Sequence, residues 1–170
     1  MPPSQDAGLV PGEAPQADLS ELVDRLLNRL GTGTVYRLHP TETDVPERVQ
    51  QTAPALSDKA APTWTSSAGM SPWPRPVRLL HRPEPVEALA LLPSHPPRAF
   101  TWRRVRHLVT HADGPERITG EWWRATAERD AVRDYWTVEN QTGRRFWLFR
   151  QGDGADPATG GLGWFLHGFF

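Results

Sequence analysis

One segment near the N-terminus has apolar residues at the spacing of an amphipathic helix. They follow an i, i+3, i+4, i+7 pattern and are Leu19, Leu22, Val23, Leu26, Leu27 and Leu30. Asp18 is placed to cap the first turn, Glu21 follows three residues later as in a capping box, and Gly31 can end the helix. The pattern predicts a helix over 18–31. Since so short a helix is only marginally stable alone, its leucine face must pack on this chain or on a partner.

From residue 77 onward the pattern changes to short β-type runs between turn signals. It predicts strands over 77–81, 86–91, 99–111, 133–139, 145–150 and 163–168. The turn over 140–143 predicts a hairpin with Gly143 in the left-handed conformation. Residues 116–129 have few β-branched side chains, and we predict a helical turn there around Trp122 and Trp123.

The predicted 133–150 hairpin is apolar on both faces. Successive strand residues point to opposite faces. Tyr135 and Trp136 therefore lie on opposite faces of one strand, and Phe146 and Trp147 lie on opposite faces of the next. A sheet of this kind must be covered on both sides. Either the chain covers both faces itself, as a sandwich or small barrel, or one face binds a partner.

Proline divides the chain into two parts. Of the 18 prolines, 16 precede Arg98, and proline both fixes φ and removes a backbone donor. We predict a disordered segment over 1–17, the helix over 18–31, a mostly extended or disordered Pro-rich linker over 32–76, and a β domain over 77–170. The predicted class is α+β: a small, Trp-rich antiparallel β domain with an N-terminal amphipathic helix and a Pro-rich linker.

Charge and composition exclude several classes of protein. The 19 basic and 20 acidic side chains nearly balance, so net charge gives no drive toward nucleic acid. The sequence has no cysteine, which excludes disulfides and thiolate metal sites. It shows neither a secretory signal nor an apolar run long enough for a membrane span, so we expect a soluble, cytoplasmic protein without a membrane partner.

The residues give little support for catalysis. No nucleophile elbow, HExxH motif, Walker lysine or EF-hand pattern is present. His107 and His111 would share a strand face, but no third ligand accompanies them. Asp153 and Asp156 lie in a Gly-rich stretch that we interpret as a loop. We therefore expect no enzyme, no catalytic residue, no metal and no cofactor.

Arginine and aromatic residues cluster in two places. The arginines are Arg103, Arg104, Arg106, Arg144 and Arg145, beside Trp102 and Phe146. Cation and π surface together suit single-stranded nucleic acid. They suit a protein interface as well, and they also fit a packed tryptophan core with arginines lying over it. These three readings stay open.

Several ordered motifs resemble one family. They are 114–118 (GPERI), 121–124 (EWWR), 133–139 (RDYWTVE), 145–150 (RFWLFR) and 164–169 (WFLHGF), preceded by 22–31, 35–38, 45–48 and 75–80. These segments are similar to the C-terminal region of ImuB-type proteins, which resemble Y-family translesion polymerases. The matches cover most of residues 18–170.

The resemblance implies a non-catalytic role in damage-induced mutagenesis and translesion synthesis, part of the SOS response. ImuB-type proteins lack the polymerase carboxylates and act as hubs. Their partners are a sliding clamp, an ImuA-type RecA-like protein and an error-prone replicative-type polymerase. We expect partner-binding residues among the aromatic motif positions, namely Trp122, Trp123, Tyr135, Trp136, Trp147, Phe149 and Trp164.

The sequence also departs from the family. It has no counterpart of the palm, fingers, thumb and little-finger regions, so we expect a truncated product, a split protein or an excised domain. Residues 5–10 stand where family members have a clamp-binding peptide, but Gly8 replaces an apolar anchor. The alternatives to a protein-interaction module are a single-stranded DNA-binding module and a remnant without independent function.

Overall fold

The computed structural model describes residues 19–57, 74–92 and 95–170. These residues form one helix, α1 (Ser20–Leu30), and eight strands. The strands are β1 (Tyr36–Pro40), β2 (Gln50–Pro54), β3 (Arg78–Leu89), β4 (Ala99–Trp102), β5 (Val105–Thr119), β6 (Val132–Asn140), β7 (Arg145–Gln151) and β8 (Trp164–Phe169). The predicted α+β class, with its helix near the N-terminus and tryptophans in the β clusters, is confirmed.

The described residues divide into two compact units. The first contains α1 and most of a two-stranded sheet of β1 and β2. Helix α1 begins after Leu19, whose side chain makes no capping hydrogen bond, and Asp18, the predicted N-cap, lies outside the described residues. It ends as predicted at Gly31, which has a φ of 97° and donates its N–H to the Leu27 carbonyl. Within the described residues no side chain of α1 is buried, and its leucine face is largely exposed.

The second unit contains a closed barrel of six antiparallel strands in the order β3-β4-β5-β6-β7-β8, with β8 pairing back onto β3. Two of the predicted strand boundaries are wrong. The runs 77–81 and 86–91 belong to one strand, β3, whose pairing with β8 shifts register between Leu79 and Glu84. The run 99–111 is a hairpin, because Arg103 and Arg104 adopt φ values of 48° and 68° and turn the chain between β4 and β5.

Strand β5 is longer than the sequence predicts. It continues to Thr119 along β6, so the predicted helical turn over 116–129 is wrong for its first residues. The predicted turn around Trp122 and Trp123 is present, closed by a 2.8 Å hydrogen bond from the Arg124 N–H to the Glu121 carbonyl, and Thr126–Glu128 form a 3₁₀ turn after it. The strand passes close to β6 at Gly114, where an added Cβ would lie 2.7 Å from the Tyr135 carbonyl oxygen. Glycine is therefore required there for β5 to keep pairing.

The hairpin of β6 and β7 is confirmed, with Gly143 at a φ of 75°. Its inward face fills the barrel. The buried residues of this inner core are Phe100, Trp136, Val138, Phe146, Leu148 and Leu166. Close packing of these large side chains holds the six strands in one arrangement.

The outward face of the same hairpin is covered by the chain itself. The buried residues of this outer core are Val45, Ile118, Tyr135, Trp147 and Phe149, with Phe165 and Phe170 packed against them. Arg75 and Arg133 add guanidinium groups, each 5.2 Å from the centre of the Trp147 and Phe149 rings respectively. Of the two predicted alternatives for the hairpin, the small barrel is therefore the one observed.

The predicted linker contributes to that cover. Within residues 32–57 the structure contains β1, β2 and a 3₁₀ turn at Pro46–Arg48, where we predicted a mostly extended or disordered segment. Val45 and Pro46 are buried in the second unit. Proline permits this because it is tolerated at the first position of a helical turn, where no backbone N–H is needed.

Candidate functional site

Most of the aromatic residues predicted to bind a partner lie inside the barrel unit. Tyr135, Trp136, Trp147 and Phe149 are at most 4% exposed. Trp164 is half-buried, with its ring centre 4.9 Å from that of Trp136. A partner cannot contact the four buried side chains in this fold, because they are the core that holds the strands together.

Trp122 and Trp123 are the exception. They follow β5, and 60% and 65% of their surface is exposed. The two indole rings meet edge to face, with centres 6.0 Å apart and an angle of 86° between their planes. We call them the tryptophan pair. Two large adjacent rings in water are the kind of apolar surface that marks an interaction site.

A buried carboxylate anchors the tryptophan pair. Glu121, directly before it, is 4% exposed. Its carboxylate accepts hydrogen bonds from the Thr43 hydroxyl and, at 2.7 Å, from Arg48 Nη1. Arg124, directly after the pair, lies 3.0 Å from the same carboxylate. The backbone on both sides of the pair is therefore tied to one buried group.

Arg48 also connects the segment to its other end. Its guanidinium donates to both oxygens of Glu128, including a 2.9 Å bond from Nη1. Glu128 in turn accepts a 3.1 Å hydrogen bond from the Glu121 backbone N–H. At Gly120 an added Cβ would lie 2.3 Å from the Glu128 carbonyl oxygen, so the loop closes on itself tightly.

The electrostatics favour the charged forms of Arg48, Glu121 and Glu128. The Thr43 hydroxyl and then the Arg48 guanidinium lower the pKa of Glu121, and Arg48 lowers the pKa of Glu128. These two carboxylates raise the pKa of Arg48 in return. The ion pairs therefore persist across the neutral pH range and hold the tryptophan pair in one geometry.

The residues predicted to contact nucleic acid separate into two groups. Arg103, Arg144 and Arg145 line one cavity of about 680 Å³ at an end of the barrel, together with Arg78. Arg104 and Arg106 are exposed on the adjacent β4–β5 hairpin and are not part of the described cavity wall. We call this cavity the arginine groove.

Arg78 was missed by sequence reasoning. It begins β3 and lies far from the other three arginines along the chain, so no local pattern connects them. Its neighbours in the groove come from the pairing of β8 with both β3 and β7, in which Phe169 lies opposite both Arg78 and Phe146. Only barrel closure produces that proximity.

A polar cluster, buried at Tyr135 and His167 and partly exposed at Arg133 and Glu47, lies beside the outer core. The Tyr135 hydroxyl and His167 Nδ1 are 2.9 Å apart, and Arg133 Nη1 lies 2.6 Å from Glu47 Oε1. His167 is fully buried, and this burial lowers its pKa to about 4. A neutral imidazole enclosed among rings is suited to packing, and the described cavities do not open onto it.

The remaining predicted features give no site within the described residues. No group of three or more His, Asp or Glu there could hold a metal ion. The expectation that His107 and His111 share a face is wrong, since a register shift between Val109 and His111 buries the first and exposes the second. Residues 5–10, the predicted clamp peptide, lie outside the described part. No helix in the described part is long and apolar enough to cross a membrane.

Comparison with known proteins shows similarity to ImuB proteins. The ImuB proteins of two Caulobacter vibrioides strains are each 46% identical to this chain over 160 residues, which is 89% of this chain and 33% of the relative. The chain thus spans about a third of the length of the relatives it matches. No family model matches it, and no solved structure is similar to it. The resemblance to ImuB-type proteins inferred from the motifs is confirmed.

Proposed function

We propose that this chain is a non-catalytic protein-interaction module of an ImuB-type accessory protein in damage-induced mutagenesis and translesion synthesis. In this role it recruits a RecA-like ImuA-type protein and an error-prone replicative-type polymerase. The exposed tryptophan pair is the observation that supports an interaction role, because these two rings lie outside both cores that the described residues form.

The tryptophan pair has the properties of an interface hot spot. A tryptophan contributes roughly 150–250 Å² of contact surface, and tryptophan and arginine are enriched among residues that dominate binding energy. Arg124 and Arg129 are exposed close by in the chain and can form a polar rim. Of the other predicted contact residues, four are core and Trp164 is half-buried against the core, so the proposal rests on Trp122 and Trp123.

Rigid presentation strengthens the proposal. Binding costs free energy when side chains and loops must be ordered at the interface. The Arg48 network has already fixed the backbone on both sides of the pair. A partner that buries the two rings therefore loses less free energy to ordering than it would with a free loop.

A pull-down tests the proposal. The tagged full chain is incubated separately with the cognate RecA-like protein and the cognate error-prone polymerase. We expect the double substitution Trp122→Ala and Trp123→Ala to reduce retention of at least one of them by about tenfold or more, the loss of a hot spot. The matched control is Leu89→Ala with Leu91→Ala, which removes two other exposed apolar side chains, 57% and 67% exposed.

Two results would count against the proposal. One is failure of the folded wild-type chain to retain either protein. The other is an equal loss for the tryptophan and leucine variants, which would indicate general surface stickiness. Circular dichroism of each variant confirms that its barrel is intact before the comparison is made.

The closed barrel argues against the alternative that the chain is a remnant without independent function. Its two cores share the β6–β7 hairpin, so they should unfold together. We expect a single cooperative transition in urea, with circular dichroism and tryptophan fluorescence changing together. Gradual, non-coincident loss of the two signals would favour the remnant.

A further inference from the structure

We propose that the arginine groove binds a single strand of nucleic acid, with its guanidinium groups on the phosphates and its aromatic rings on the bases. The groove lies at the end of the barrel that holds the β4–β5 and β6–β7 turns. This proposal does not depend on the tryptophan pair or on the proposed function, and the two are tested with different variants.

The groove has positive charge that the protein does not neutralise. Arg103 is paired with Glu84, with Nη2 2.6 Å from Oε1, and Arg145 is paired with Glu139 at 3.0 Å. Arg78 and Arg144 have no carboxylate partner among the residues that the structure describes. Two exposed guanidinium groups in one concave site form a binding place for anions, and their planar forks match phosphate oxygens.

Aromatic rings lie between these charges. The Arg103 guanidinium is 4.7 Å from the centre of the Trp102 ring, and that ring is 5.4 Å from the Phe169 ring. Arg144 lies 5.6 Å from the ring of Phe146, a buried residue of the inner core whose ring meets that of Phe169. Trp102 and Phe169 therefore add aromatic surface beside the arginines of the groove wall.

The turn between β4 and β5 holds two arginines in a strained backbone conformation. A two-residue hairpin turn with positive φ at both positions normally uses Asn-Gly, because other side chains are strained there. Arg103 and Arg104 occupy both positions here, at φ values of 48° and 68°. The hydrogen bonds from Trp102 Nε1 and Arg103 to Glu84 hold the turn against the groove.

A ligand that matches this wall carries both anionic groups and flat rings. A single strand has this pattern, since its phosphates bind arginine forks and its unstacked bases stack on aromatic or guanidinium planes. A duplex hides its bases from such a wall. An acidic peptide without aromatic residues offers carboxylates for the arginines but no rings for Trp102 and Phe169.

Fluorescence anisotropy with a labelled oligothymidine of about 12 nucleotides, at about 50 mM salt, tests the proposal with the full chain. We expect Arg78→Ala with Arg144→Ala to weaken binding by at least about tenfold and to reduce the slope of log Kd against log salt by about 1.4. The matched control is Arg29→Ala with Arg37→Ala, two exposed arginines of the other unit that give the same change in net charge.

Two competitors identify the ligand. An abasic strand of the same length keeps the phosphates but lacks the bases, and we expect it to bind about tenfold more weakly than oligothymidine. A polyglutamate peptide of matched charge should compete still less. Equal binding of the abasic strand or of the peptide would overturn the proposal.

Two further results would overturn it as well. The first is no change in anisotropy for the folded wild-type chain at low salt. The second is equal weakening by the groove and control variants, which would show general attraction of charge. Loss of DNA binding in the groove variant with unchanged protein retention in the pull-down would separate this site from the tryptophan pair.

Discussion

Two sets of tryptophans in this protein have opposite environments. Trp136 is 1% exposed and belongs to the inner core, and Trp147 is 2% exposed and belongs to the outer core. Trp122 and Trp123 are 60% and 65% exposed, on a loop fixed by ion pairs. The same residue type therefore stabilises the barrel in one place and is available for contact in the other. Burial, and not residue identity, separates the two roles.

The largest difference should be found in stability. We expect Trp136→Ala to lower the free energy of unfolding by about 3–5 kcal/mol, because it removes a buried ring and leaves a cavity in the inner core. Trp122→Ala should change it by less than about 0.5 kcal/mol, as expected for an exposed side chain. Urea unfolding followed by circular dichroism measures both. Similar losses for the two variants would contradict the division between core and contact tryptophans.

A buried ion pair supports the core side of the comparison. Arg150 Nη2 lies 2.8 Å from Asp134 Oδ2, both side chains are at most 3% exposed, and the Arg150 guanidinium is 5.6 Å from the Trp136 ring. Asp134→Ala leaves a buried charge beside that ring. We expect a loss of about 3 kcal/mol in urea unfolding.

Arg117 shares that carboxylate, at 2.7 Å, but is half-exposed. Arg117→Ala is therefore the matched control, and it should cost about 1 kcal/mol or less. A loss as large as that of Asp134→Ala would show that the exposed arginine, and not the buried pair, stabilises this end of the barrel.

Acid should weaken the outer core through His167, whose ring stacks on Trp147 with centres 5.5 Å apart. Burial lowers the pKa of His167 to about 4, below its ordinary value of 6.5. The unfolded chain therefore binds the proton first. The stability that comes from keeping His167 neutral is fully present above pH 6.5 and is lost as the pH falls toward 4. At pH 5 the loss is about 2 kcal/mol.

Urea unfolding at several pH values between 5 and 7.5 measures this effect, with His167→Gln as the comparison. Burial also lowers the pKa of His107, which contributes in the same direction and is present in both proteins. We expect the variant to depend less steeply on pH than the wild type. Parallel pH profiles would contradict a neutral His167.

A small loss of stability is expected from the network that holds the tryptophan pair. Arg48→Met removes the link between Glu121 and Glu128 and should cost about 1 kcal/mol, since Arg48 is partly exposed. Hydrogen exchange should accelerate in residues 119–131 while β6 and β7 stay protected. Arg48→Met should also weaken partner binding, although both tryptophans remain. Unchanged exchange in that segment would show that Arg48 does not fix the pair.

Arginines at the two ends of the barrel also differ in their environment. Arg117 and Arg150 share the Asp134 carboxylate at one end, whereas Arg78 and Arg144 line the groove without a carboxylate among the described residues. Sequence reasoning found Arg144 by its neighbours and missed Arg78. The sequence around Arg78 and Arg144 does not distinguish them from the paired arginines. Their lack of a carboxylate partner among the described residues is therefore a property of the closed barrel.

The sequence alone determined the local features. Periodic leucines determined α1, alternation and turn residues determined the β6–β7 hairpin, and ordered motifs determined the resemblance to ImuB-type proteins. Each of these depends on interactions between residues that are close in the chain, or on the letters themselves. The apolar character of both hairpin faces was also legible, because it follows from alternation.

Only the tertiary structure decided what covers each face and which side chains remain free. It joined the two halves of β3, split 99–111 at the Arg103–Arg104 turn, and placed Val45 from the predicted linker over the outer core. It also buried four of the predicted contact aromatics and left the tryptophan pair exposed. These outcomes depend on barrel closure between distant segments, and no local pattern in the chain specifies which strand meets which.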